Sequence, residues 1–219
     1  MAPKLIRSIF ILPFIVTALA ALPASPAYAA DITLPNSALP SLASFASLLN
    51  NGQTGQLRGV YVPNILADGV VQQPTSQATF VSPRQGIITQ FGAASSLGST
   101  GLLAHNFLAG AQFPQMKMGQ VVYLVYGDGR LASFVVTEVQ QYQALQPASP
   151  YSEFIDLSTG RSMSSTDVFN AAYGHAGMVV FQTCIASGNE PSWGRLFIIA
   201  RPYSPTLGYV KAKAHIIRQ

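Results

Sequence analysis

From Leu57 onward the apolar residues come in short runs, each cut off by Gly, Pro, Ser or Asn, and this punctuation constrains the fold more than any other feature. Runs of this kind, rich in Val, Ile, Tyr and Phe, predict strands rather than helices. Candidate strands are 58–63, 78–82, 87–91, 101–105, 121–126, 132–142, 153–157, 178–184 and 195–201. Gly127-Asp128-Gly129-Arg130 predicts a hairpin turn between two of them. Val121 to Val125 is apolar at every position, which predicts a strand flanked on both sides. Helical spacing is confined to two places. Leu42, Phe45, Leu48 and Leu49 follow a Pro40-Ser41 start and precede Asn50-Asn51-Gly52. Ser165 to Tyr173 has Ser164 or Ser165 as cap and Gly174 as stop. Many short strands with one or two short helices predict a mainly β fold, a closed or nearly closed barrel.

The first residues read as an export signal. Lys4 and Arg7 precede a mostly apolar stretch from Ser8 to Leu22, and Ala27-Tyr28-Ala29 fits the small-x-small cleavage rule. The expectation is a signal peptide over 1–29, or an uncleaved N-terminal anchor, then a linker with a short helix over 30–56. A barrel domain over 57–203 and a basic tail over 204–219 complete the chain. Removing Lys4 and Arg7 from the 12 basic residues leaves 10 against 8 acidic ones, a net +2. Lys211, Lys213 and Arg218 belong to the tail, so the body is near neutral, which argues against a nucleic-acid partner. Only 9% of residues are charged, and the polar-uncharged surface this implies suits an exported protein.

Cys184 is the one cysteine in the chain. In an oxidising compartment a thiol without a partner is either a buried hydrophobe or a nucleophile. The run Val179-Val180-Phe181-Gln182-Thr183 leads into it, which predicts a core strand delivering a thiol at its end. A thiol nucleophile needs an imidazole to hold or take its proton. His105, at the end of the strand candidate 101–105, is the choice over His175 in the turn Gly174-His175-Ala176-Gly177. Arg195 opens the apolar run Leu196-Phe197-Ile198-Ile199-Ala200, one loop beyond the thiol, and its planar fork can steady an oxyanion. No carboxylate is positioned to complete a Cys–His–Asp arrangement. No Asp/Glu cluster or histidine grouping supports a metal site, and no cofactor is expected.

This constellation resembles the sortases, cysteine transpeptidases of bacterial surfaces, over about 58–202. Gly59-Val60-Tyr61-Val62-Pro63-Asn64-Ile65 is similar to the family's first strand and Pro-containing turn. Leu103-Ala104-His105-Asn106, then Gly110, Phe113 and Gly119-Gln120-Val121-Val122-Tyr123, resembles its histidine segment. Phe181-Gln182-Thr183-Cys184 resembles its Thr-Cys strand, and Arg195 with its apolar run its arginine strand. Ala104 stands where a Gly often precedes the histidine, and Val180-Phe181-Gln182 replaces a Leu- and Thr-rich approach.

The resemblance implies an eight-stranded barrel with His105, Cys184 and Arg195 catalytic, and Thr183 and Asn106 contacting substrate. It implies cleavage of a Leu-Pro-x-Thr-Gly-like signal through a thioacyl-enzyme and transfer to an amine. The partners would be surface proteins bearing a C-terminal sorting signal and an amine acceptor, a cell-wall precursor or a protein lysine. Location would be the cell surface, secreted or held at the membrane by the N-terminus; the subclass, class E- or D-like, stays open. Two alternatives are an exported cysteine hydrolase of the same fold and a non-catalytic β-domain that binds surface peptides. Leu34-Pro35-Asn36-Ser37-Ala38 mimics a sorting signal and is read as a Pro-containing linker.

Overall fold

A computed structural model describes residues 39–203. The signal segment, the Leu34–Ala38 mimic, His215 and the basic tail lie outside the described residues. Ten strands form one sheet: β1 (Leu57–Val62), β2 (Leu66–Gln72), β3 (Ile87–Phe91), β4 (Thr100–Leu103), β5 (Val121–Tyr126), β6 (Leu131–Ala144), β7 (Phe154–Asp156), β8 (Ser162–Met163), β9 (Val179–Ser187) and β10 (Glu190–Pro202). Neighbours run β10-β9-β4-β3-β2-β1-β5-β6, and β10 pairs again with β6. Eight strands therefore close into the expected barrel, while β7 and β8 continue outward from β6. Closure leaves the ring without an unpaired edge.

Two of the ring's pairings are parallel, β2 with β3 and β4 with β9. The β4–β9 pairing matters for function, because it brings residues about eighty positions apart in sequence to the same end of the barrel. Strand alternation then divides the core. Phe181, Leu196, Ile198 and Ala200 fill the barrel with Val60, Leu66, Ile88, Leu102 and Phe113. Val180, Phe197 and Ile199 point outward and are covered by the helix α3 (Ser165–Tyr173), with Tyr142 and Phe154. Strands β9 and β10 are apolar at consecutive positions because both of their faces are buried.

The helices lie where the sequence puts them. Helix α1 (Leu42–Leu49) is capped by Ser41, which accepts from Ser44 N at 3.1 Å. It packs Phe45 and Leu49 on the outside of β1. There Gly59 is required, since a Cβ would run into the Leu49 and Phe45 side chains. Helix α3 begins with a reciprocal cap: Ser164 Oγ accepts from Asp167 N at 3.1 Å, and Asp167 Oδ2 accepts from Ser164 N at 3.2 Å. A four-residue helix α2 (Gly92–Ser95) and a 3-10 helix (Ala109–Gln115) are additional. Among the described residues no helix is long and apolar enough to cross a membrane.

Three sequence expectations are corrected. Segment 78–82 is a loop, tied down by Gln73 Nε2 donating to Ala78 O and Phe80 O and by Ser82 N donating to Thr89 Oγ1. The strand that belongs before β3 is β2, whose Asp68-Gly69 reads as a turn but is buried in the sheet. The strands of the site are also displaced from expectation. Cys184 and Arg195 lie inside β9 and β10, which run together as a long hairpin, and His105 lies two residues beyond β4.

Candidate active site

Cys184 stands directly opposite Arg195 in the antiparallel register of β9 and β10. Opposed residues project from the same face, with Cβ atoms about 5 Å apart. Alternation identifies that face. Phe181 and Leu196 point into the barrel, so Gln182, Cys184, Arg195 and Phe197 point out of it.

On the other side of β9, β4 runs parallel with Leu103 beside Gln182. The pairing carries one residue further: Ala104 N donates to Gln182 O at 3.2 Å, and Thr183 Oγ1 donates to Ala104 O at 2.8 Å. The ladder ends there, and His105 follows at the end of the barrel where β9 carries Cys184. Strand β9 at Cys184 therefore has the His105 segment on one side and Arg195 across the hairpin on the other, and all three residues are half-buried.

The guanidinium is held by the backbone. Arg195 Nη1 donates to Ser192 O at 2.8 Å and to Gly194 O at 3.0 Å, and Nη2 donates to Pro147 O at 3.0 Å. A guanidinium carries five N–H donors, so two remain for a ligand. Its partners are neutral carbonyls, which fix the fork without neutralising its charge. Pro147 belongs to the β6–β7 loop, and that loop is thereby fastened to the site. Sequence reasoning missed this anchor, since a main-chain carbonyl leaves no signature in residue type.

The histidine segment is fixed just as firmly. Leu108 N and Gly110 N both donate to His105 O, at 3.0 and 3.1 Å. Gly110 has no room for a Cβ, which would meet Thr183 Oγ1 and the carbonyls of Ala104 and His105. The 3-10 helix then drops Phe113 into the barrel, edge-on to Phe181 at 5.2 Å. Phe107 stacks on His105, ring centroids 5.2 Å apart and planes 20° apart, and is itself 71% exposed.

The remaining candidates fall elsewhere. Thr183 is 3% exposed and its hydroxyl donates to Ala104 O, which joins the histidine segment to the thiol strand. Asn106 Nδ2 donates to Pro191 O at 2.8 Å, linking the His105 loop to the start of β10. His175 is exposed in the turn before β9, at the opposite end of that strand from Cys184. Among the described residues no three His, Cys, Asp or Glu side chains are grouped to hold a metal ion.

No known family profile matches the sequence, and no curated protein matches it. The chain is similar to solved structures that include a sortase C from Clostridium perfringens SM101, at 14% identity and a TM-score of 0.40, covering 70% of this chain and 73% of that one. It is also similar to sortase A of Listeria monocytogenes, at 14% identity and 0.42, covering 68% and 88%. A third is sortase C-1 of Actinomyces oris, at 14% and 0.43, covering 74% and 81%.

Proposed function

We propose that this chain is an exported cysteine transpeptidase of the sortase type, with Cys184 as nucleophile, His105 as general acid and base, and Arg195 as oxyanion stabiliser. The observation that carries the reading is the adjacency of three strands: Arg195 opposite Cys184 in register, and the His105 segment bonded to β9 one residue before the thiol.

In the first half-reaction the Cys184 sulfur, its proton taken by His105, attacks the carbonyl of a Thr–Gly bond. The carbonyl π pair moves to oxygen, where the two uncommitted Arg195 N–H groups meet the developing charge. As the tetrahedral centre collapses, the C–N bond breaks and His105 gives its proton to the leaving glycine amine. A thioester to Cys184 remains. In the second half-reaction an incoming amine attacks that thioester, His105 takes the amine's proton, and the thiolate leaves. A fixed guanidinium suits this chemistry, because donors already in place need no reorganisation as charge develops.

The domain reading goes with this function: an export signal or anchor over 1–29, a catalytic domain over 57–203 and a solvated basic tail. The acyl donors would be surface proteins with a Leu-Pro-x-Thr-Gly-like C-terminal signal, and the acceptor an amine of a cell-wall precursor or a protein lysine. The decisive experiment incubates the protein with a library of such peptides plus an amine, and follows Cys184 by mass spectrometry. A thioacyl adduct that is absent in Cys184→Ala supports the reading, and no adduct with any peptide removes it.

A further inference from the structure

A cavity of about 250 Å³ opens beside Arg195 on the outer face of the barrel, between α3, β7, β9 and β10. Its walls are largely aromatic, with Phe91, Phe154, Phe169 and Phe197, and the polar side chains Gln182 and Arg195 also line it. Gln182 lies two residues before Cys184 on the same face of β9, so it stands about 7 Å along the strand from the thiol.

The Gln182 carboxamide has a defined orientation. Tyr173 Oη donates to Gln182 Oε1 at 2.6 Å, and the tyrosine is fully buried among the aromatic side chains beneath α3. Burial pushes the Tyr173 hydroxyl up from its ordinary value, so it keeps its proton and remains a donor. With Oε1 occupied, the Nε2 donors of Gln182 have no partner among the described residues, and the residue lines the cavity. An apolar hollow with one oriented amide is the composition of a site that seats an apolar side chain and fixes the main chain beside it.

On the other side of β9 lies the His105 segment, with the exposed Phe107 and the Asn106–Pro191 contact. An amine can approach there, which leaves the cavity to the acyl half of a peptide. An extended peptide advances about 3.3 Å per residue, so a carbonyl two residues before the scissile one comes over Gln182.

We infer that the Gln182 carboxamide, oriented by Tyr173, donates to the main-chain carbonyl about two residues upstream of the scissile bond, while the neighbouring apolar side chain fills the aromatic cavity. This rests on the reading of Cys184 as the acylated nucleophile. Gln182 is then a specificity residue, and Tyr173 a positioning residue that acts through it.

The test uses the full protein and the best acyl-donor peptide of the Leu-Pro-x-Thr-Gly-like library. Gln182→Met and Gln182→Glu each lower kcat/KM for acylation about 5–10-fold, the size of one lost hydrogen bond. In Gln182→Met, alkylation of Cys184 by iodoacetamide, which has no chain to seat, stays within about twofold of the wild type. Tyr173→Phe lowers kcat/KM by a smaller factor, and the Tyr173→Phe/Gln182→Met double variant is no worse than Gln182→Met alone. A peptide with a thioamide at the contacted carbonyl, a poorer acceptor, loses rate with the wild type and not with Gln182→Met. Equal kcat/KM in wild type and Gln182→Met, or an equal thioamide effect in both, overturns the assignment while Cys184 acylation still stands. No acylation of Cys184 by any peptide removes the nucleophile reading and this inference together.

Discussion

Phe107 is a large aromatic ring left mostly in solvent, where its burial adds little to stability. Among the described residues its one ring contact is the face of His105. Aromatic pairs contribute about 0.5–1.5 kcal/mol beyond their buried area, enough to hold an imidazole in one rotamer and too little to set the fold. Phe107→Ala is therefore expected to lower kcat/KM for peptide acylation about 3–10-fold, with the melting temperature nearly unchanged. Parallel melting and rate measurements check this. A large loss of stability would mean that the ring belongs to the core instead. Gly110 gives the opposite pattern. A Cβ there meets Thr183 Oγ1 and two carbonyls of the histidine segment, each already held in a hydrogen bond. Gly110→Ala is expected to cost about 1–3 kcal/mol by denaturant unfolding and to reduce acylation as well, because His105 moves with its own carbonyl.

At the scale of elements, the site depends on how β4, β9 and β10 are joined. The Thr183 hydroxyl is the side-chain link between the histidine segment and the thiol strand, and the carbonyl it serves is on a buried residue. Thr183→Val keeps the shape and removes the donor. It is expected to destabilise by about 1–3 kcal/mol and to slow acylation more than iodoacetamide alkylation, since the thiol stays while the imidazole loosens. Equal effects on both rates would mean that the bond only supports the fold. Much of this arrangement was legible in sequence. The Gly127–Arg130 turn, the Ser164–Asp167 cap and the long apolar runs of β9 and β10 each follow local rules that the tertiary structure leaves in force. What local rules could not supply was register. Cys184 and Arg195 were expected at strand mouths, where a short loop would join them. They are instead paired across a hairpin that continues to Ser187 and Glu190, because Ile185 past the thiol still packs on the barrel core and pairs with Gly194, and Ser187 pairs with Glu190 beyond an irregularity. The Pro147 carbonyl under Arg195 and the Tyr173–Gln182 contact were equally hidden, since both depend on which segments meet in space.

The barrel as a whole explains the strand that sequence missed. Asp68-Gly69 has the composition of a turn, yet it lies in the middle of β2, and Asp68 is 5% exposed. By alternation its side chain shares a face with Leu66 and Val70, which fill the barrel, and its Oδ2 has no hydrogen-bond partner among the described residues. Burial in this apolar interior raises the carboxyl from its ordinary 3.8 to about 6. The direction of the effect on stability follows. Between about pH 4 and 6 the unfolded chain has released this proton and the folded chain still holds it, so the folded state binds more protons and stability falls as pH rises. The contribution is fully present below the unfolded value and has been lost once pH passes the folded one. A shift of that size corresponds to about 2–3 kcal/mol. Asp156 and Asp167 act in the opposite sense. Hydrogen bonds from Ser158 and from Ser164 hold their carboxyls below 3.8, so what they contribute is lost as pH falls through that region. Denaturant unfolding as a function of pH is thus expected to show a maximum near pH 4 and a decline toward pH 7. Asp68→Asn, neutral throughout, should remove the decline and leave the acid limb in place. If the wild-type curve instead rises from pH 4 to 7, Asp68 is ionised in the folded barrel and an unseen partner compensates its charge.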